Sequence, residues 1–125
     1  MNTKALNRQI AMELNRDKFN QLTQGKVHTQ PRIIAVFIEH TPLLLAELDR
    51  ALSERLIRKT EQVAHKLKSS CALLCSDALQ SDLATMARNA IDIQSPEYFS
   101  FGRIVIMRIG KLLHELEEIY KTDRI

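Results

Sequence analysis

From Arg58 to Cys75 the chain runs for eighteen residues, RKTEQVAHKLKSSCALLC, without a proline or a glycine. Nothing in that stretch interrupts a helix. On a wheel of about 100° per residue, Leu56, Thr60, Val63, Ala64, Leu67, Ser70, Cys71 and Leu74 all fall within about 60° of Leu67. That stripe is apolar or small and asks for burial. His65 falls about 160° from Leu67, on the opposite face. Glu61, Gln62, Lys68 and Ser69 stand one turn either side of it. The sequence therefore holds a histidine in solvent, beside lysines, on a helix whose other face is core.

Other segments repeat the same period. Thr3 to about Leu14 places Leu6, Ile10 and Leu14 four apart, and Asp17 is a candidate cap for a short piece carrying Phe19 and Leu22 that ends at Gly25. Lys26–Gln30 reads as a linker, with Thr29 as N-cap and Pro31 in the first turn of the next helix. Ile34, Phe37, Thr41, Leu44 and Leu48 then predict one helix to about Leu52, bent at Pro42. After a short connection at Ser53–Arg55 comes the central helix. Ser76 or Asp77 caps the helix of Leu79, Leu83, Met86 and Ala90, and Ile91–Gln94 is a turn. Ser95-Pro96-Glu97 starts the last helix, on which Val105, Ile109, Leu112 and Leu116 line one face. Gly102 and Gly110 lie within it, two places for close helix approach.

Four long amphipathic helices on short loops predict an all-α, antiparallel up-down-up-down four-helix bundle. The expected organisation is a single domain over 1–125, with an accessory N-terminal helical region at 1–28 and the bundle at 30–121. Three glycines and three prolines in 125 residues leave little room for hairpins and argue against an all-β fold. No run of 18 apolar residues suggests a membrane span, and the charged start does not read as a secretory leader. A cytoplasmic protein is expected. The net charge of +3 is too small for a dedicated nucleic-acid binder, and four Phe with two Tyr offer little for base stacking.

Cys71 and Cys75 are four apart on the expected helix, about 5–6 Å between Cβ atoms, too far for a good disulfide. Two such ligands do not make a zinc site; they read as small packing residues. His28, His40 and His114 read as surface or boundary residues. His65 lies where Ser53–Ser70 carries five basic residues against two acids. A neutral imidazole is a competent nucleophile near pH 7. Lys68 at i+3 is placed to favour the neutral ring and to offset the charge of a phosphoryl group once attached. Taken alone, such a histidine is more often an ordinary surface residue.

The stretch AHKLKSSCALLCSDAL, Ala64 to Leu79, resembles the phosphoacceptor segment of histidine-containing phosphotransfer (HPt) domains. That pattern is A-H-x-L-K-G-S/A, with a glycine ten residues after the histidine and a leucine four later. Ala64, His65, Leu67, Lys68 and Leu79 match. Phe37, Pro42, Leu44, Leu45, Leu48 and Ala51 match the pattern of the preceding helix, and the resemblance spans about residues 30 to 120. Ser69 and Cys75 stand where the family has glycine. Both are small and read as tolerated, and they leave open a member that docks without transferring. Sensor-kinase dimerisation helices carry a related motif, but Ser70 occupies the place of their proline and the chain has no Gly-rich nucleotide loop.

The resemblance implies a phosphorelay intermediate like the free-standing members of the family, without kinase activity of its own. His65 would take a phosphoryl group from a receiver-domain aspartate of a hybrid histidine kinase and pass it to the receiver of a response regulator. Lys68 would give electrostatic support, and Gln62, Lys66, Ser69 and Ala72 would contact the partner. No cofactor is implied for this chain; Mg²⁺ would be held by the receiver. No nucleic-acid or membrane partner is expected. The alternative is an HPt-like helical adaptor that binds or sequesters a receiver without phosphotransfer.

Overall fold

The computed structural model describes residues 12–123. Helix α1 spans Arg16–Leu22, α2 Thr29–Ser53, α3 Ile57–Cys71, α4 Asp77–Arg88 and α5 Pro96–Asp123, with a 3-10 turn at Ala90–Asp92 before the last. Helices α2 to α5 form a closed ring. α3 packs between α2 and α4, and α5 meets both α2 and α4. The short connections make consecutive helices antiparallel, so the fold is the expected all-α bundle. Among the described residues no helix is long and apolar enough to cross a membrane.

The stripes read from the sequence meet in the middle. Leu48, Leu52, Val63, Leu67, Leu79, Leu83, Met86, Ile109, Leu112 and Leu116 are almost completely buried, each contributing about 1.5–3 kcal/mol. Two members of the central stripe are not core. Leu56 precedes the first turn of α3 and is 43% exposed, because the helix starts one residue after it. Ser70 is exposed beside α2. Helix α2 runs unbroken through Pro42 to Ser53.

Several caps differ from expectation. α1 is capped by Asn15, whose Oδ1 accepts from Lys18 N–H at 3.0 Å, and Asp17 sits inside the first turn. His28, not Thr29, precedes α2 and makes no side-chain cap bond. The Lys26 carbonyl accepts from both Thr29 and Gln30 N–H groups, so a turn leads directly into the helix. Ser76 caps α4, accepting from Leu79 N–H at 3.1 Å, and Ser95 caps α5, accepting from Tyr98 N–H at 3.1 Å. Gly25 has φ +65°, the left-handed geometry glycine allows, and closes α1 by donating to the Asn20 carbonyl.

The largest departure lies at the end of the central helix. α3 stops at Cys71, not Cys75, and residues 72–74 form a turn. Nothing in the local sequence requires this; an extended segment decides it. Residues 12–15 are not helical, and Leu14 bridges Cys75 in antiparallel fashion. Asn15 N–H donates to the Leu74 carbonyl and Ser76 N–H to the Glu13 carbonyl, both at 2.7 Å. That pairing engages the Leu74 carbonyl and the N–H of Ser76, the cap of α4, while the Ser69 and Cys71 carbonyls at the end of α3 accept from N–H groups of the turn itself. The part of the expected first helix that carries Leu6 and Ile10 lies outside the described residues. Glu115 of α5 holds the same segment: its carboxylate accepts from Glu13 N–H at 2.9 and 3.1 Å and from Leu14 N–H at 2.9 Å. Burial raises the Glu115 pKa against the pull of those amides.

The two glycines of α5 differ in kind. A Cβ at Gly102 would stand 2.8 Å from Leu52 Cδ2 and 3.1 Å from Met86 Cε, whereas one at Gly110 meets nothing within 4 Å. Gly110→Ala should therefore raise stability by about 1 kcal/mol, the helix-propensity gain. At Gly102 the same gain is opposed by overpacking worth about 1–3 kcal/mol against side chains in a closed core. Gly102→Ala should be destabilising. Urea unfolding of the two variants checks the opposite signs.

Tyr98, at the start of α5, donates its hydroxyl to the Met86 carbonyl at 2.6 Å and so ties α5 to the end of α4. Burial, with Asp92 nearby, pushes its pKa up to about 12. The folded state thus holds the phenol proton more tightly than the unfolded chain, where it leaves near pH 10. Its contribution is complete below about pH 10 and disappears as pH rises through the folded value. Tyr98→Phe should cost about 1–2 kcal/mol at pH 7 by orphaning that carbonyl. The gap between variant and wild type should close in unfolding curves measured above pH 10.

Candidate functional site

α3 is amphipathic along its whole length, and the ring of helices covers only one side of it. Val63, Ala64, Leu67 and Cys71 face inward; Glu61, Gln62, His65, Lys66, Ser69 and Ala72 are exposed, and Lys68 is half-buried. Every residue singled out from the sequence therefore lies on the open side of α3 or just past its end. The salt bridge from Lys59 to Glu47, 3.7 Å, marks the edge of α3 that faces α2.

His65 lines an open cleft of about 460 Å³ between α3 and α4. Glu61, Gln62 and Lys68 line it from α3; Ala84, Ala87 and Arg88 line it from α4. Lys66, Ser69 and Ala72 are exposed but do not line this cleft. The α4 wall was missed in the sequence. Its signal was present: 84, 87 and 88 are spaced by three and four, so they share a helix face beside the buried Leu83–Met86 stripe. The two alanines leave room next to the imidazole. Arg88, which donates to Thr85 Oγ1 at 3.3 Å, adds a second cation to Lys68.

The floor of the cleft is thus small side chains, and its rim carries an ammonium, a guanidinium and the Glu61 carboxylate around an imidazole. That set can hold a nucleophilic nitrogen in the open and offset a dianionic group bound to it. Among the described residues no group of three or more His, Cys, Asp or Glu could hold a metal ion. Across α3 from the cleft, a second groove of about 460 Å³ runs along α2, with Ile33, Val36 and Phe37 between Arg32 and His40 and with Ser70 at its α3 edge.

Cys71 and Cys75 are both free and fully buried. Interaction with the Cys75 side chain, together with burial, pushes the Cys71 thiol far above the usual range. They pack the end of α3 as small residues, although Cys75 does so from outside the helix.

The helical bundle presents His65 from the outer face of its central helix. A family model for the Hpt domain matches residues 32–119, most of the 125-residue chain, and the chain belongs to that family. The fold is similar to the crystal structure of histidine-containing phosphotransfer protein B from Pseudomonas aeruginosa PAO1, with a TM-score of 0.69 over 91% of this chain and 96% of that one, at 15% sequence identity. No curated protein sequence matches the chain.

Proposed function

We propose that this protein is a phosphorelay intermediate whose phosphoacceptor is His65. The observation that carries the reading is the His65 cleft, an open site that the exposed histidine lines together with Lys68 and Arg88. An imidazole nitrogen, Nε2 by family resemblance, attacks the phosphorus of an aspartyl phosphate on a receiver domain. The N–P bond forms as the P–O bond to the aspartate breaks, and the electron pair leaves on the carboxylate. The second transfer is the reverse reaction onto the aspartate of another receiver. Lys68 and Arg88 offset the phosphoryl charge while it resides on His65. The receivers would hold the Mg²⁺ and the remaining catalytic groups, so this chain is a carrier without turnover of its own.

Gln62, Lys66, Ser69 and Ala72 extend the contact surface around the nucleophile. The apolar groove along α2 lies at the Ser70 edge of that surface. The basic residues suit the acidic pocket of a receiver and should speed encounter more than they tighten binding. The donor is assigned to a hybrid histidine kinase and the acceptor to a response regulator.

The test is transfer from a radiolabelled phosphoreceiver. Label should move to this protein in a bond that is labile to acid and stable to base, the behaviour of phosphohistidine. A receiver that binds without passing its label would instead identify a sequestering adaptor. Lys68→Ala and Arg88→Ala should each slow transfer about tenfold or more while docking persists. Unchanged rates in both variants would remove the proposed electrostatic role.

A further inference from the structure

Lys68 sits where α3 begins to unwind. In an uninterrupted α-helix its carbonyl would accept the N–H of Ala72. Ala72 instead donates to the Ser69 carbonyl at 3.3 Å, and α3 ends at Cys71. The Lys68 carbonyl is taken up from the neighbouring helix, where Gln80 Nε2, near the start of α4, donates to it at 3.0 Å. The other end of the same amide is held as well, because Cys75 Sγ donates to Gln80 Oε1 at 3.2 Å. Cys75 is itself fully buried and fixed by its bridge to Leu14. Both ends of one half-buried side chain are used, and a glycine at position 75 would offer it no such donor.

We propose that Gln80 is a positioning residue for phosphoryl transfer, holding the backbone of Lys68 so that its ammonium meets a phosphoryl group on His65. The inference rests on the reading of His65 and Lys68 given above. The last turn of a helix is its least constrained part, and here that turn carries the cation. The lysine stem is long and flexible, so the mean position of its charge depends on where its Cα is held. A clamp from α4 supplies the constraint that the missing helix bond does not. It also couples the Lys68 turn to the extended segment at Leu14, through Cys75.

Phosphoramidate is a suitable probe because it phosphorylates histidine without a docking surface. The imidazole nitrogen bonds to phosphorus, the P–N bond of the donor breaks, and ammonia leaves. Rates of His65 phosphorylation are compared for wild type, Gln80→Leu, Lys68→Ala and the double variant, with helicity and Tm measured for each. Gln80→Leu should slow the reaction about tenfold. In the Lys68→Ala background the same change should slow it no further, since a residue acting through Lys68 has nothing left to position. Gln80→Glu turns a carboxylate against the Lys68 carbonyl while keeping the acceptor for Cys75, and should be as slow as Gln80→Leu. Cys75→Ala keeps the amide donor and should be slowed less.

Equal slowing by Gln80→Leu with and without Lys68 would overturn the inference, because it would mark a general structural effect. So would a wild-type rate in both Gln80 variants. If Gln80→Leu fails to fold, Gln80→Glu carries the comparison. A wild-type protein that is not phosphorylated at His65 at all would overturn the reading of the site first, a result distinct from either of these.

Discussion

Replacing His65 with glutamine should reduce phosphoryl acceptance from a receiver to background and leave the fold intact. Glutamine is polar and of similar reach, but its amide nitrogen has no available lone pair. The bond to phosphorus cannot form, and no neighbouring group substitutes for it. The loss should therefore be complete, unlike the partial losses expected when Lys68 or Arg88 is truncated. His65 is exposed and its side chain is not part of the core. Surface substitutions of this kind usually lie within about 0.5 kcal/mol of wild type. Tm and the far-ultraviolet circular dichroism should thus be unchanged while label transfer disappears. Retention of acid-labile label by the glutamine variant would sink the assignment of His65.

The second large effect is expected away from the cleft. Arg108 of α5 donates to Glu13 through both Nε and Nη2, each at 3.1 Å, and pairs through Nη1 with Asp82 of α4. Its side chain is 22% exposed and that of Glu13 only 10%. The hydrogen bond to Glu13 leads the causes that raise the Arg108 pKa, outweighing the opposing effect of its burial. Arg108→Met would keep the stem's packing and leave the Glu13 carboxylate enclosed without its partner. Breaking a fully buried pair costs about 3–5 kcal/mol. Partial exposure of Asp82 and Arg108 lowers the expected cost to about 2–3 kcal/mol. Urea unfolding should show the loss, and Glu13→Gln in the same background should recover part of it by removing the orphaned charge. A loss below about 0.5 kcal/mol would place the network among ordinary surface pairs. The pairing matters beyond stability. Glu13 belongs to the extended segment that ends α3 and, through Cys75 and Gln80, holds the Lys68 turn.

Much of the bundle was legible before any coordinates. Leu67, Val63 and Cys71 faced inward as their period required, and His65 faced outward for the same reason. Ser95-Pro96-Glu97 began a helix because capping, fixed φ and first-turn charge are all local effects. Less was legible at the ends of elements. Asp17 and Thr29 are good caps in isolation, yet Asn15 and His28 take those positions. The residues at the boundary are chosen by where the preceding chain enters. Gly102 and Gly110 look alike in sequence, but only Gly102 faces a neighbouring helix.

The sequence by itself determined the four helices of the bundle, most of their buried stripes, the central histidine and its i+3 lysine. All of these depend on residues within a turn or two of one another, where periodicity and propensity act directly. Only the tertiary structure decided where α3 stops, because a segment sixty residues away pairs with Leu74–Ser76. It also decided that Ala84, Ala87 and Arg88 wall the His65 cleft, and that Gln80 reaches the Lys68 carbonyl. Those contacts depend on how α4 is rotated and set against α3, which no local pattern encodes. His65 and its lysine are therefore written in one stretch of the chain, whereas their surroundings are assembled from three.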